Sequence, residues 1–214
     1  MQKRNRHPRS LSPNPALRKK MPNRRNVPPQ DLFLYARSFH MAAKKLADAL
    51  EVDSGPVTEF AACPVVFMYR HALELHLKAI VLGEGGNFLD TKPDRISIGK
   101  THSVSWLAQF VCQIVTALTW ESEFRCVGIE SLEDFKAVVE EVNSVDPGQY
   151  VFRLPVEAEA KGSSDVRGFA RKMDALLELL DSTADALAAE WDMRSGVAAL
   201  EADWQDGDIN PIIH

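Results

Sequence analysis

The stretch that most limits what this chain can become is Pro64 to Gly83, PVVFMYRHALELHLKAIVLG. At about 100° per residue, Arg70, Glu74 and Lys78 align within roughly 80° of a helix circumference, with His71 beside them. Val65, Val66, Phe67, Met68, Tyr69, Leu73, Leu75, Leu77, Ile80 and Leu82 leave the rest of the helix apolar. A helix apolar on most sides is a central element, surrounded by the rest of the fold. Its two bases, imidazole and carboxylate must therefore pair with one another, meet a partner, or line a cleft.

A chain of 214 residues is long enough for one sizeable core. No run approaches the roughly 18 apolar residues of a membrane span, so no membrane partner is expected. Cys63, Cys112 and Cys126 are odd in number and show no CxxC spacing, which suits small hydrophobic packing in a reducing cytoplasm. Residues 1–30 hold nine of the 25 Lys and Arg and none of the 30 Asp and Glu, so the remainder carries 16 bases against 30 acids. An acidic body lacks the broad positive footprint of a nucleic-acid binder, because phosphate contacts need clustered bases. The basic tail can supply that charge or fold back on the body.

Residues 1–29 combine six prolines with many bases and read as a disordered tail or an over-extended start, with Met21 an equally good beginning. Residues 30–205 read as one helical bundle, and 206–214 as a frayed end. Helix 1 is predicted from Gln30 or Asp31 to Val52, with a stripe of Leu32, Tyr35, Phe39, Ala42, Leu46 and Leu50. Helix 2 begins near Val57, with Pro64 kinking it or opening its main segment, and ends at Gly83, Gly85 and Gly86. Residues 84–100 read as a polar loop without a phosphate-cradling pattern. Helix 3 starts near Thr101 or Ser103, and helix 4 opens on a capping-box-like Ser131 and Asp134. Gln149 to Pro155 reads as an extended strap, followed by helix 5 from Val166 to Trp191 or beyond, fraying after Ser195. The expected class is all-α, a bundle of about five helices.

With these helices placed, RHALELHLKAIVLGEG followed by KTHSVSWL resembles the two-helix core signature of HEPN domains. Glu74, Leu77, Lys78 and Ala79 match an ExxLKAL helix, and Thr101, His102, Ser103 and Leu107 match a tHdL-type helix start. YRHALELHLK with a later YVFRLP resembles a set of uncharacterised bacterial HEPN-like proteins. The resemblance spans roughly residues 57–162. It implies an all-α homodimer that binds RNA or a nucleotide in toxin–antitoxin or phage-defence biology, extending in some members to metal-independent ribonuclease activity. Those nucleases carry an Arg, four to six residues, then a His on a late helix. Here Arg70 and His76 have that spacing on helix 2, whereas the late helix offers Arg167, Arg171 and Lys172 with no His until His214. Six positions also set His76 about 120° from Arg70, among core residues. The alternative reading is therefore a non-catalytic module that dimerises or binds a partner protein such as a nucleotidyltransferase.

The catalytic candidates are Arg70, His71 and Glu74. A ribonuclease without metal needs a general base near neutral pKa, for which His71 is suited, and a cation on the phosphorane oxygens, for which Arg70 is suited. Glu74 lies close enough on the helix to orient the imidazole. Lys78, His102 and Arg153 are the nucleic-acid-binding candidates. The competing structural reading makes Arg70, Glu74 and Lys78 an (i, i+4) ion-pair ladder that fastens helix 2 to its neighbours. His71, Glu74 and His102 lack HExxH spacing, so neither a metal site nor another cofactor is expected.

Overall fold

Residues 28–52, 59–145 and 166–207 of a computed structural model are described here. Among them the chain forms six α-helices and one 3-10 turn, with no strand beyond an isolated Cys126–Ile129 bridge. The fold class is all-α. The basic tail through Val27, the strap around Arg153 and residues 208–214 lie outside the described residues.

Helix α1, Pro29–Val52, starts where the sequence predicts. The Pro28 carbonyl accepts from Asp31 N at 3.0 Å and Leu32 N at 3.2 Å, and Asp31 places negative charge in the first turn. Its buried seam differs from the expected stripe. Ala36, Ala43 and Ala47 are buried while Tyr35 is exposed, because small side chains let α1 approach its neighbour closely. Phe33, Phe39, Leu46 and Leu50 flank that seam.

Helix α2, Glu59–Leu82, is the central element, packing against α1 and every later element on its side of the bundle. Pro64 sits inside its first turns on an exposed side, so the lost backbone donor disturbs no buried ladder. Val65, Tyr69, Ala72, Leu73, Leu77 and Ile80 are all 1% exposed or less. The helix ends with Gly83 N donating to Ala79 O at 2.9 Å, and the chain turns through the 3-10 segment Glu84–Phe88. Gly85 is required there: a methyl group on it would lie 2.6 Å from Ile80 O and 3.2 Å from Ile114 Cδ1.

The stretch predicted as a loop is more ordered than its polarity suggests. It contains a short helix, α3, Arg95–Lys100, capped by Asp94, whose carboxylate accepts from Ser97 N at 2.9 Å. Ile98 is its buried anchor. Helix α4, Val104–Ala117, is capped by Ser103, which accepts from Trp106 N at 3.2 Å. Helix α5, Leu132–Val145, has the predicted cap, with Ser131 Oγ accepting from Asp134 N at 3.1 Å. Val104, Leu107, Val111 and Ile114 of α4 are fully buried, and Phe124 meets Phe135 edge to face at 5.2 Å near the start of α5.

Helix α6, Val166–Gly207, is the longest and continues past the expected fraying point at Ser195. Val166, Ala170, Met173, Leu176, Leu177, Leu180 and Leu187 form its buried stripe. Tyr69 meets Asp174 and His76 meets Asp181, seven residues apart on both helices, so α2 and α6 run parallel in heptad register. Arg37 meets Asp181 while His40 meets Asp174, so α1 is antiparallel to α6. Among the described residues no helix is long and apolar enough to cross a membrane.

Candidate functional site

The polar stripe of α2 faces the corner where α3 gives way to α4. Lys78 Nζ donates to Glu74 Oε1 at 2.7 Å, and Arg70 Nη1 lies 3.6 Å from Glu74 Oε2, an ion pair too long for a hydrogen bond. One carboxylate thus stands between two cations at i−4 and i+4. Arg70, Glu74 and Lys78 are 1%, 2% and 6% exposed, so none projects into solvent.

The cations also reach across to backbone. Arg70 Nη2 donates to His102 O at 2.8 Å, and Lys78 Nζ lies 3.4 Å from Gly99 O. Gly99 belongs to the last turn of α3, where carbonyls lack helical partners and the helix end is partially negative. A buried lysine and arginine on α2 therefore satisfy acceptors that the α3–α4 corner leaves over. The charges need these bonds, since desolvating an unpartnered cation costs several kcal/mol, on the order of the whole stability of a domain.

His102 is the outward member of the group, with its side chain 48% exposed. Its Nδ1 lies 3.1 Å from Glu74 Oε1 and 3.3 Å from Oε2. An ionised carboxylate only accepts, so this contact selects the Nδ1–H form of the ring. Glu74 thereby orients an imidazole, but the imidazole is that of His102.

His71 occupies a different setting from the one its spacing suggests. Its ring is edge-on to Phe39 at 4.4 Å and stacked with Phe67 at 6.0 Å, in the seam between α1 and α2. Its buried Nδ1 has no hydrogen-bond partner among the described residues. Burial lowers its pKa below the ordinary imidazole range, more than the nearby Glu74 raises it. The angular offset of one residue from Arg70 was enough for α1 to cover it.

His76 is fully buried opposite the charged stripe, as its angle on the helix requires. It belongs to a second polar seam that the sequence did not single out. Asp174 Oδ1 accepts from Tyr69 OH at 2.8 Å and is 2.7 Å from His40 Nε2, with Lys44 Nζ 3.7 Å from its other oxygen. One heptad along, Asp181 accepts from Arg37 Nε at 2.6 Å and faces His76 Nε2 at 3.7 Å. The His76 imidazole and the Arg37 guanidinium hold the Asp181 carboxyl down at about 2, against the opposing effect of burial. The Tyr69 hydroxyl is pushed well above its ordinary range by burial and by the Asp174 carboxylate. Paired Tyr69/His76 on one helix and Asp174/Asp181 on another, both at spacing seven, were the available signal.

The structure thus brings Arg70, Glu74, Lys78 and His102 together and sets His71 apart; Arg153 lies outside the described residues. Among the described residues no three His, Cys, Asp or Glu side chains are placed to hold one metal ion. No family model, curated protein or solved structure matches the chain.

Proposed function

We propose that this chain is a non-catalytic helical interaction module, in which the charged stripe of α2 is a fastening and binding is left to outer surfaces. The observation that carries this reading is the burial of Arg70, Glu74 and Lys78 to 6% exposure or less while they hold each other and the carbonyls of Gly99 and His102. A phosphate could reach Arg70 or Lys78 only by breaking those bonds. Exposed apolar side chains suited to a protein partner stand elsewhere, at Leu34, Tyr35 and Met41 on α1 and Ile96 on α3. The HEPN-like resemblance adds a partner class, a nucleotidyltransferase or a second copy of the chain. Purification from its own cells is expected to give a stable heteromeric complex or dimer without ribonuclease activity. A clean monomer that cleaves RNA would overturn the proposal.

A second reading has one specific observation in its favour. Glu74 fixes the half-exposed ring of His102 through Nδ1, the arrangement by which a carboxylate prepares an imidazole as general base. In an RNA- or nucleotide-directed activity, His102 would take the proton and Arg70 would position it through its carbonyl. That reading predicts metal-independent cleavage that is lost in His102→Gln with an unchanged unfolding midpoint.

A further inference from the structure

We propose that the outer face of α1 is a contact between two copies of this chain, crossing antiparallel at Ser38. The inference rests on the reading of the chain as an interaction module and names its partner and its surface. Ala36, Ala43 and Ala47 turn one side of α1 into the bundle. At about 100° per residue, Leu34, Ser38, Met41 and Lys45 lie on the opposite side, flanked by Asp31, Tyr35 and Ala42. Leu34, Met41 and Tyr35 are 61%, 59% and 43% exposed. Single exposed hydrophobics are ordinary, but three on one face of one helix make a patch. Leu34, Ser38, Met41 and Lys45 also follow at steps of four, three and four, the rhythm of a helix–helix seam.

Charge selects a second copy as the occupant. A two-fold axis through Ser38 sets each residue of α1 against the one equally far along on the other side. Asp31 then meets Lys45 of the other copy, Tyr35 meets Met41, and Leu34 meets Ala42, each contact occurring twice. Among the described residues, neither the Asp31 carboxylate nor the Lys45 ammonium has an ion-pair partner. The neighbouring bases Arg37 and Lys44 are engaged by Asp181, Asp185 and Asp174 of α6, to one side of this face. The acid and base left over on the outer face are thus complementary to each other under the two-fold. A parallel pairing would instead set Asp31 against Asp31 and Lys45 against Lys45.

The crossing point suits close approach. Ser38 is small, and its hydroxyl donates to Leu34 O at 2.7 Å, so covering it leaves no orphaned donor. With 24 residues, α1 is about 36 Å long, and a crossing near 20° keeps two such helices in contact over several turns.

The test uses the full chain. Sedimentation equilibrium over roughly 1–200 µM measures self-association of wild type, Asp31→Lys, Lys45→Asp and an equimolar mixture of the two variants. Each variant alone opposes like charges at both symmetry-related contacts, so its dimer should be roughly tenfold weaker than that of wild type. In the mixture the two proteins present opposite charges to each other at both contacts, and association should return to near the wild-type value. Leu34→Ser with Met41→Ser removes the apolar contacts without touching charge and should leave a monomer of unchanged helicity by circular dichroism. A wild type that stays monomeric at about 200 µM would overturn this inference and leave the interaction-module reading standing. That reading falls separately, if the same wild-type samples cleave RNA. A dimer indifferent to these substitutions would overturn the α1 contact in favour of another surface. Variants that weaken association without recovering on mixing would overturn the antiparallel two-fold.

Discussion

Replacing Glu74 with glutamine keeps the side chain's shape and removes the one negative charge between Arg70 and Lys78. In the native protein that carboxylate is 2.7 Å from the Lys78 ammonium and 3.6 Å from the Arg70 guanidinium, with all three groups nearly excluded from water. The variant leaves Arg70 and Lys78 buried without the carboxylate charge that stands between them. Breaking a buried pair by removing one partner costs about 3–5 kcal/mol, because the remaining charge stays desolvated. At about 2–4 °C per kcal/mol for a domain of this size, the midpoint should fall on the order of 10 °C. Thermal unfolding followed by circular dichroism reads this, and urea titration with an unchanged slope would locate the loss in the native state. A triple replacement, Arg70→Met, Glu74→Leu and Lys78→Met, removes all three charges together and should stand closer to wild type than Glu74→Gln alone. A Glu74→Gln midpoint within about 1 °C of wild type would refute the reasoning, because each kcal/mol lost must show as a larger shift.

Three further outcomes follow from other parts of the fold. Gly85→Ala should cost about 1–3 kcal/mol, since its methyl meets the Ile80 carbonyl at 2.6 Å, whereas Gly99→Ala, with nothing within 4 Å, should change stability by less than about 0.5 kcal/mol in the same urea assay. The folded Asp181 carboxyl sits at about 2, below its unfolded value, so its stabilisation is present above about pH 4 and disappears as pH falls toward 2; the midpoint gap between wild type and Asp181→Asn should close over that window. His71 titrates lower folded than unfolded, so the unfolded chain takes up its proton first and stability falls as pH drops below about 6.5. His71→Phe should flatten the midpoint–pH curve between about pH 7 and 5.

The long helices were legible because each carries periodic apolar residues and a recognisable start: Pro28-Pro29 for α1, Ser103 for α4, Ser131 and Asp134 for α5. The short helix α3 was not, since Ile98 alone anchors it and six residues give no period to read. The α1 seam was misplaced toward Tyr35 because alanine carries a weak hydrophobic signal although it permits the closest packing. Burial of the α2 stripe with its charges paired was foreseeable from an otherwise apolar helix. Its partners at Gly99 O and His102 O were not, because a backbone carbonyl leaves no mark in a sequence. Helical spacing could place His71 near Glu74 but could not say that Phe39 of another helix would cover it.

The central claim is that the stripe on α2 holds the fold together and performs no chemistry. It is tested most directly on wild type and Arg70→Ala side by side, recording thermal unfolding and cleavage of a mixed RNA pool without added metal. The account predicts no cleavage by either protein and a midpoint for the variant lower by on the order of 10 °C. Cleavage by wild type that vanishes in a variant of unchanged midpoint would contradict it and make Arg70 part of an active site.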